Sequence, residues 1–391
     1  MAGGKGVAHL SHSRAPDNDG AAMIDHPPRY ALGLMSGTSL DGIDIALIRS
    51  DGEGAIEPGP WAGRAYEVAF RDHLRSVVGG AGDVAAVQRD LTDIHANMVN
   101  DFLEKHDISN EDIYVIGFHG HTIAHRPTEA LTWQIGDGAL LAERTGIDVI
   151  CDFRGRDVAA GGQGAPLAPL YHAALADGLE RPLAVLNIGG VANLTWLGDD
   201  GAIVAFDTGP GGAMIDDGMR RLFGRPYDAS GARAARGRVE EVALDALLDD
   251  PYIAAPPPKS LDRDAFAECA ARALAGLAAA DAIATLTAFT AAAVARAVAH
   301  LPAAPRRWIV TGGGRRNDTL MRSLAEVLAV PVVACEAVGW AGDAIEAQAF
   351  AYLALRARRG LAITLPATTG APRPLTGGAL HRFAVAKPPV R

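Results

Sequence analysis

Cysteine is scarce in this 391-residue chain, which carries only Cys151, Cys269 and Cys335. Thiols so few and so scattered exclude a disulfide framework and a cysteine-built zinc cluster, and they suggest a reducing, cytoplasmic setting. Cys151 follows the apolar pair Val149-Ile150 and reads as a buried structural thiol. Positive charge is also short: 36 Lys and Arg against 46 Asp and Glu leave a net charge of −10. That balance argues against a nucleic-acid surface, though not against a nucleotide held in a local site. Long apolar runs are missing. No stretch reaches the roughly 18 uninterrupted apolar residues of a membrane span, and the alanine-dense region 265–300 is broken by Glu268, Arg272, Asp281 and Arg296. Residues 1–28 contain no sustained apolar core, so they do not read as a signal peptide; a disordered tail is the expectation.

What the chain has in quantity is glycine, 45 residues gathered into a few polar motifs. The first of these organises the rest. Two apolar runs, Ala31–Met35 and Ile43–Ile48, flank Ser36-Gly37-Thr38-Ser39-Leu40-Asp41-Gly42, which reads as a β-hairpin with an unusually polar turn. Gly37 and Gly42 have no Cβ, so backbone there can approach a ligand closely. Exposed N–H groups and the Thr38 and Ser39 hydroxyls can cradle a phosphate. Asp41 and Asp44 would repel a bare polyphosphate but suit one carrying a divalent cation. An ordinary hairpin turn would use the same glycines.

Along the chain, Ala65–Phe70 reads as a third strand and residues 84–106 as a helix, with apolar residues recurring at helical spacing. Tyr114–Gly117 reads as a buried strand ending in a loop that carries His119, His121 and His125. No cysteine or HExxH-like pattern lies near to make these histidines a zinc site, so hydrogen-bonding roles at a strand's C-terminal end are preferred. A helix over 139–145, a strand over 148–151, the polar loop Asp152–Asp157 and the glycine-rich loop Gly161–Leu167 follow. Arg154, Arg156, Asp152 and Asp157 read either as ligand-binding groups or as a mutually neutralising loop network.

Residues 183–197 then repeat the opening design: apolar strand, Gly189-Gly190 turn, second strand. This echo, about 150 residues after the first, reads as a weak internal duplication and predicts two similar lobes around a shared cleft. Asp207 ends a further apolar strand, before a Gly/Pro loop and a helix over 214–222, which aims a carboxylate into such a cleft. A helix cap would also place Asp there. Residues 265–300 read as two helices packed through small side chains. Trp308–Thr311 is a strand running into Gly312-Gly313-Gly314, with Asn317 just beyond, and 330–334 is a strand. Glu346 sits in the first turns of an alanine-rich helix, as a cleft acid or as a partner of the helix dipole. The segment 371–391 is expected to close the fold.

Taken in order, LMSGTSLDGIDIALI (34–48), GFHGHTIAHRP (117–127), DFRGRDVAAGGQGAPLAP (152–169), LNIGGVANLT (186–195), AFDTGPGG (205–212), VTGGGRRND (310–318) and GDAIEAQAFA (342–351) resemble one family, the bacterial anhydro-N-acetylmuramic acid kinases. Two departures stand out: Gly212 replaces an expected Asn, and Lys259-Ser-Leu-Asp-Arg-Asp264 replaces a Lys-Ser-Thr-Gly-Arg-Glu-like run. The resemblance implies an α/β fold of two ribonuclease-H-like lobes with an interlobe ATP cleft, as in acetate and sugar kinases, heat-shock chaperones and actin. Lobe I would span 29–180, with about 365–391 returning to it, and lobe II 181–364.

The resemblance further implies that ATP phosphorylates O6 of 1,6-anhydro-N-acetylmuramic acid while water opens the anhydro bridge, a step of peptidoglycan recycling. Asp207 and Glu346 would be catalytic. Gly37, Thr38, Ser39, Leu40, Asp41, Gly42, Ile43, Asp44, Gly189, Gly190, Gly312, Gly313, Gly314 and Asn317 would bind the nucleotide. His119, Gly120, Thr122, Arg154, Gln163, Gly209 and Gly211 would bind the sugar. Mg2+ would arrive with ATP near Asp41, without a protein-only metal site. No nucleic-acid or membrane partner is implied, and a homodimer is left open. Competing readings are a conventional sugar-hydroxyl kinase and a non-catalytic ATP-driven chaperone or filament protein of the same fold.

Overall fold

A computed structural model describes residues 26–37 and 39–384. Most of the expected N-terminal tail, Thr38 and residues 385–391 lie outside the described residues. The strands, in chain order, are β1 (Arg29–Ser36), β2 (Gly42–Ser50), β3 (Ile56–Ala65), β4 (Ile113–Arg126), β5 (Leu131–Ile135), β6 (Val149–Cys151), β7 (Leu183–Ile188), β8 (Val191–Leu197), β9 (Ile203–Pro210), β10 (Trp308–Thr311), β11 (Val332–Ala334) and β12 (Ala379–His381).

They form two sheets of matching design. In the first, the order is β12-β6-β4-β1-β2-β3, with β5 added to β4; in the second it is β11-β10-β7-β8-β9. Each begins with an antiparallel meander (β1-β2-β3; β7-β8-β9) and continues through parallel strands beside the first strand of that meander. The repeated glycine hairpin is therefore a repeated half-fold, and the two-lobed α/β architecture implied by the sequence is the one the chain adopts.

The third strand differs from its sequence reading. It spans Ile56–Ala65, and residues 68–76 are helical instead of extended. Pro58, Gly59, Pro60 and Gly63 disguise β3 as a loop, but it is an edge strand, where missing ladder donors are tolerated. β4 is also longer than its apolar core suggests. It continues through the three histidines, with Gly120 at φ +72° producing the irregularity between its pairings with Leu34 and Ser36.

The helix Ile345–Arg358 follows the second sheet in sequence yet packs on β1, β2 and β4 of the first. Two glycines allow it. Gly33 and Gly117 pair across β1 and β4. A Cβ on Gly33 would fall 1.7 Å from the Ala347 carbonyl oxygen, and one on Gly117 would fall 2.1 Å from that of Phe350. The helix thus rests with its backbone on the sheet. Ala347, Ala351 and Ala354 keep its underside thin. A single apolar cluster joins this helix to Ala31, Ile48 and Val115 of one sheet and to Leu183, Val185 and Ile309 of the other. The Tyr171 hydroxyl donates to Gln348 Oε1 at 2.9 Å, fixing the helix Pro169–Leu175 against the same support. The helix Ala279–Ala297, apolar and long enough to span a bilayer, is instead mostly buried within the second lobe.

Replacing Gly33 with Ala should destabilise the protein by about 1–3 kcal/mol, because the helix must lift from the sheet. Gly54→Ala, where an added Cβ meets nothing within 4 Å, should stay within about 0.5 kcal/mol. Denaturant midpoints of the two variants check this; equal shifts contradict it.

Candidate active site

The first glycine hairpin, the ends of β7 and β9, the loop after β6 and the first turn of the helix Ile345–Arg358 lie close together: Glu346 meets Asn187 and feels Asp41 and Arg154, and Arg154 feels Asp207. Asp207 lies near the end of β9 and is 7% exposed. Burial pushes its carboxyl up to about 7, against the opposing pull of the Leu261 N–H, Arg154 and Lys259. Its Oδ2 accepts the Leu261 N–H at 2.8 Å. Glu346, the second residue of its helix, keeps access to solvent through the cleft while the cleft walls crowd it. That crowding raises its carboxyl above the ordinary range; Asn187 and Arg154 oppose the rise, and Asp41 adds to it.

Arg154 faces the charges of both acids. Its Nη1 donates to the Gly164 carbonyl at 2.7 Å, and its Nη2 and Nε point at His119 Nε2, 3.0 and 3.3 Å away. A guanidinium only donates, so His119 Nε2 accepts and its Nδ1–H donates to the Gly120 carbonyl at 2.9 Å. Burial and then the Arg154 charge hold His119 well below its usual range, so the ring is neutral. His121 is held near 4, chiefly by burial, and its Nδ1 meets the Ser36 hydroxyl at 2.9 Å, which also meets the Tyr66 hydroxyl at 2.6 Å. His125 Nδ1 meets Thr132 Oγ1 at 3.0 Å. The histidines are thus separate hydrogen-bonding groups on a strand. Among the described residues no three His, Cys, Asp or Glu side chains gather as a metal site.

The glycine-rich loop after Arg154 is held from below. Buried Asp157 accepts the Gly164 N–H at 2.7 Å and the Thr369 hydroxyl at 2.6 Å, and so ties the loop to the helix Pro366–Thr369. Gln163 is fixed beside it, its N–H on the Thr369 carbonyl and its Oε1 accepting the Ser260 hydroxyl at 2.8 Å. Thr122 accepts from Gln134 Nε2 at 3.2 Å across the β4–β5 pair. A cavity of about 270 Å³ opens beside His119 and Gly120, walled by Trp133, Gln134 and Asp152.

At the opposite end of the cleft, the Leu40 N–H closes the turn onto the Gly37 carbonyl at 3.1 Å, and Ser39 Oγ donates to Asp41 at 2.6 Å. Asp44 is pushed up to about 7, first by burial and then by Asp41, Glu346 and Asp343. Negative charge is concentrated here. The Ile43 side chain is core. Gly189 and Gly190 accept the Gly212 and Gly211 N–H groups at 2.7 and 3.0 Å, joining the second hairpin to the Asp207 loop.

The glycines divide by what their missing Cβ serves. At Gly42, Gly120, Gly209, Gly211, Gly312 and Gly314 it leaves room for neighbouring protein: respectively Arg64, Ile135, Ala293, Gly189, Asn187 and Ile188. Among the described residues, an added Cβ at Gly313 would meet nothing within 4 Å, and one at Gly37 only Ser39 Oγ at 3.5 Å. At those two positions the missing Cβ is not required by neighbouring protein among the described residues. Asn317 caps the helix Asp318–Leu328, its Oδ1 accepting the Leu320 N–H at 3.0 Å.

Two groups escaped the sequence reading. Asn187, at the end of β7, donates from Nδ2 to Glu346 Oε1 at 3.3 Å and accepts at Oδ1 from Thr311 Oγ1 at 3.3 Å. Its signal was a lone amide in an apolar strand. The segment Lys259–Leu261 touches Asp207, and nothing in its local pattern foretold that.

The sequence profile described as "Anhydro-N-acetylmuramic acid kinase" matches residues 29–382. The anhydro-N-acetylmuramic acid kinase of Paramagnetospirillum magneticum is 56% identical over 351 residues, covering 90% of this chain and 99% of that one. The protein of the same name from Rhodospirillum rubrum is 55% identical over 355 residues, covering 89% and 93%. With its repeated half-folds, its two cleft acids and this match along nearly its whole described length, the chain belongs to the anhydro-N-acetylmuramic acid kinase family.

Proposed function

We infer that this chain is an ATP-dependent kinase of 1,6-anhydro-N-acetylmuramic acid, which opens the anhydro bridge with water and phosphorylates O6, giving N-acetylmuramic acid 6-phosphate. One observation carries the mechanism: two carboxylates, Asp207 and Glu346, both held above their ordinary range, stand on opposite lobes with Arg154 facing each.

O6 of the anhydro sugar is an ether oxygen with no proton to lose. Attacking a γ-phosphate alone, it would become a cationic oxonium. Water attacking C1 breaks the C1–O6 bond and leaves that electron pair on O6, so the phosphoryl group takes the place of the proton an acid would supply in glycoside hydrolysis. One base then suffices, and a base poised near the working pH is the efficient one. Asp207, near 7, takes the water's proton. Glu346, steadied by Asn187, orients water or sugar. His119, Gly120, Thr122, Arg154 and Gln163, with Gly209 and Gly211, form the sugar side.

The phosphates lie on the 37–44 turn, aided by Gly189 and Gly190, and the adenosine end lies over Gly313, with Gly312 and Gly314 shaping that turn. Thr38 belongs to this proposal by its place in the motif. Mg2+ suits the site: it is commonly held by one or two carboxylates plus substrate phosphates, and Asp41 and Asp44 supply such groups where a bare polyphosphate would be repelled. Bound there, it would neutralise phosphate charge. Lobe I is taken as residues 29–180 with the segment after 365, and lobe II as 181–364 apart from the helix Ile345–Arg358, which packs on the first sheet. The free thiols of Cys151, Cys269 and Cys335 fit a cytoplasmic setting.

Asp207→Asn should lower ring opening and phosphorylation together by about 10²–10⁴-fold, with ATP affinity unchanged, and ¹⁸O water should place label at the C1 hydroxyl. Near-normal turnover, or label confined to phosphate, overturns the role. The product's mass gain of phosphoryl plus water separates this reaction from ordinary hydroxyl phosphorylation.

The base works ionised, so kcat/KM should fall as pH drops through about 7. A flat profile from pH 5 to 8, spanning about two decades of protonation, contradicts that. Gly313→Leu should fold normally and weaken ATP binding before sugar binding; calorimetry showing the reverse order removes adenosine from that loop.

A further inference from the structure

The connection between the helices Pro251–Ala254 and Ala267–Ala273 passes behind Asp207 and grips it. The Asp207 N–H donates to the Lys259 carbonyl at 3.1 Å, and the Leu261 N–H donates to Asp207 Oδ2 at 2.8 Å. The Tyr252 hydroxyl donates to the Asp207 carbonyl at 2.9 Å. Among the described residues nothing donates to Oδ1. One carboxylate oxygen is therefore tied down and the other is left for the cleft.

Two side chains hold this strap in shape. Lys259 is 8% exposed; its ammonium donates to the Tyr252 and Ile253 carbonyls at 2.9 and 3.3 Å and lies 4.5 Å from the centre of the Tyr252 ring. A buried ammonium held by carbonyls, with no carboxylate in contact among the described residues, is costly to maintain. Ser260 reaches the other lobe, where its hydroxyl donates to Gln163 Oε1 at 2.8 Å. Consecutive residues thus hold the base in lobe II and a sugar-side residue in lobe I.

We propose that Lys259 and Ser260 are positioning residues for the reaction: Lys259 fixes the strap and places a positive charge behind Asp207, and Ser260 links the alignment of Asp207 to contact between the lobes. This rests on Asp207 being the base. The charged and titratable groups around Asp207 are Arg154 from the loop after β6, Tyr252 from the helix Pro251–Ala254, Lys259 from the connection, and His300, which feels the Lys259 charge beyond Phe206. A cation favours the ionised carboxylate. Removing the Lys259 charge therefore makes Asp207 ionise at higher pH.

The test compares pH–kcat profiles and ATP KM for wild type, Lys259→Met, Ser260→Ala, Ser260→Thr and Asp207→Asn. In Lys259→Met the acidic limb should move to higher pH, with lost rate recovered in alkaline buffer. Ser260→Ala should lose about tenfold in kcat, the scale of one hydrogen bond, with ATP KM unchanged, and Ser260→Thr should restore it. A Lys259→Met profile scaled down with its limb unmoved, or Ser260→Ala at wild-type kcat, overturns the proposal. If Lys259→Met does not fold, the two Ser260 variants decide alone. Full activity in Asp207→Asn instead refutes the base assignment itself, which separates the two failures.

Discussion

The approach of the helix Ile345–Arg358 to β1 and β4 is the constraint on which the rest depends. With Gly33 and Gly117 side by side, the helix lies on the first sheet at backbone distance while its chain comes from the second lobe. Tyr352 and Arg356 tie it to the β2–β3 turn, donating to Glu53 and Gly52 carbonyls at 2.7 Å each, and Arg358 bridges to Asp148 at 2.9 Å. Because the helix is anchored along its length, its first turn cannot wander, and Glu346 is delivered to a fixed place in the cleft.

The electrostatics follow from that placement. Glu346 brings a negative charge toward Asp41 and Asp44 at one end and Arg154 at the other. Arg154 opposes the rise of both Glu346 and Asp207 without forming a direct ion pair with either among the described residues. A tight pair would hold a carboxylate fully ionised and weakly basic. By giving its donors to His119 and Gly164 instead, Arg154 lets burial dominate at both acids, with Asp207 pushed up to about 7 and Glu346 held above its ordinary range.

Much of this was legible in the chain. Apolar runs split by glycine marked both meanders, and their repetition foretold two similar half-folds. Helical spacing located residues 84–105 nearly to the residue. Asp207 and Glu346 were conspicuous as acids in apolar or alanine-rich surroundings. The misses share a cause: they depend on neighbours distant in sequence. β3 is a strand only because β2 lies beside it, since its own prolines and glycines argue for a loop. Gly33 and Gly117 lie inside strands, and what they serve is visible only once the helix Ile345–Arg358, distant in sequence, rests on them. Asn187 and Leu261 matter through contacts 159 and 54 residues away.

The triplet Gly312-Gly313-Gly314 has one further consequence, for how such a sequence can vary over generations. Its outer members are fitted against Asn187 and Ile188, whereas the middle one faces open space. Change at the outer positions is screened when the chain folds, in every cell and whatever the cell feeds on. On the proposed function, change at the middle position passes that screen and is judged only when the nucleotide is bound. On that proposal three identical letters in a row answer to two separate selective pressures, and a lineage that stopped using the nucleotide would be expected to lose the middle glycine first.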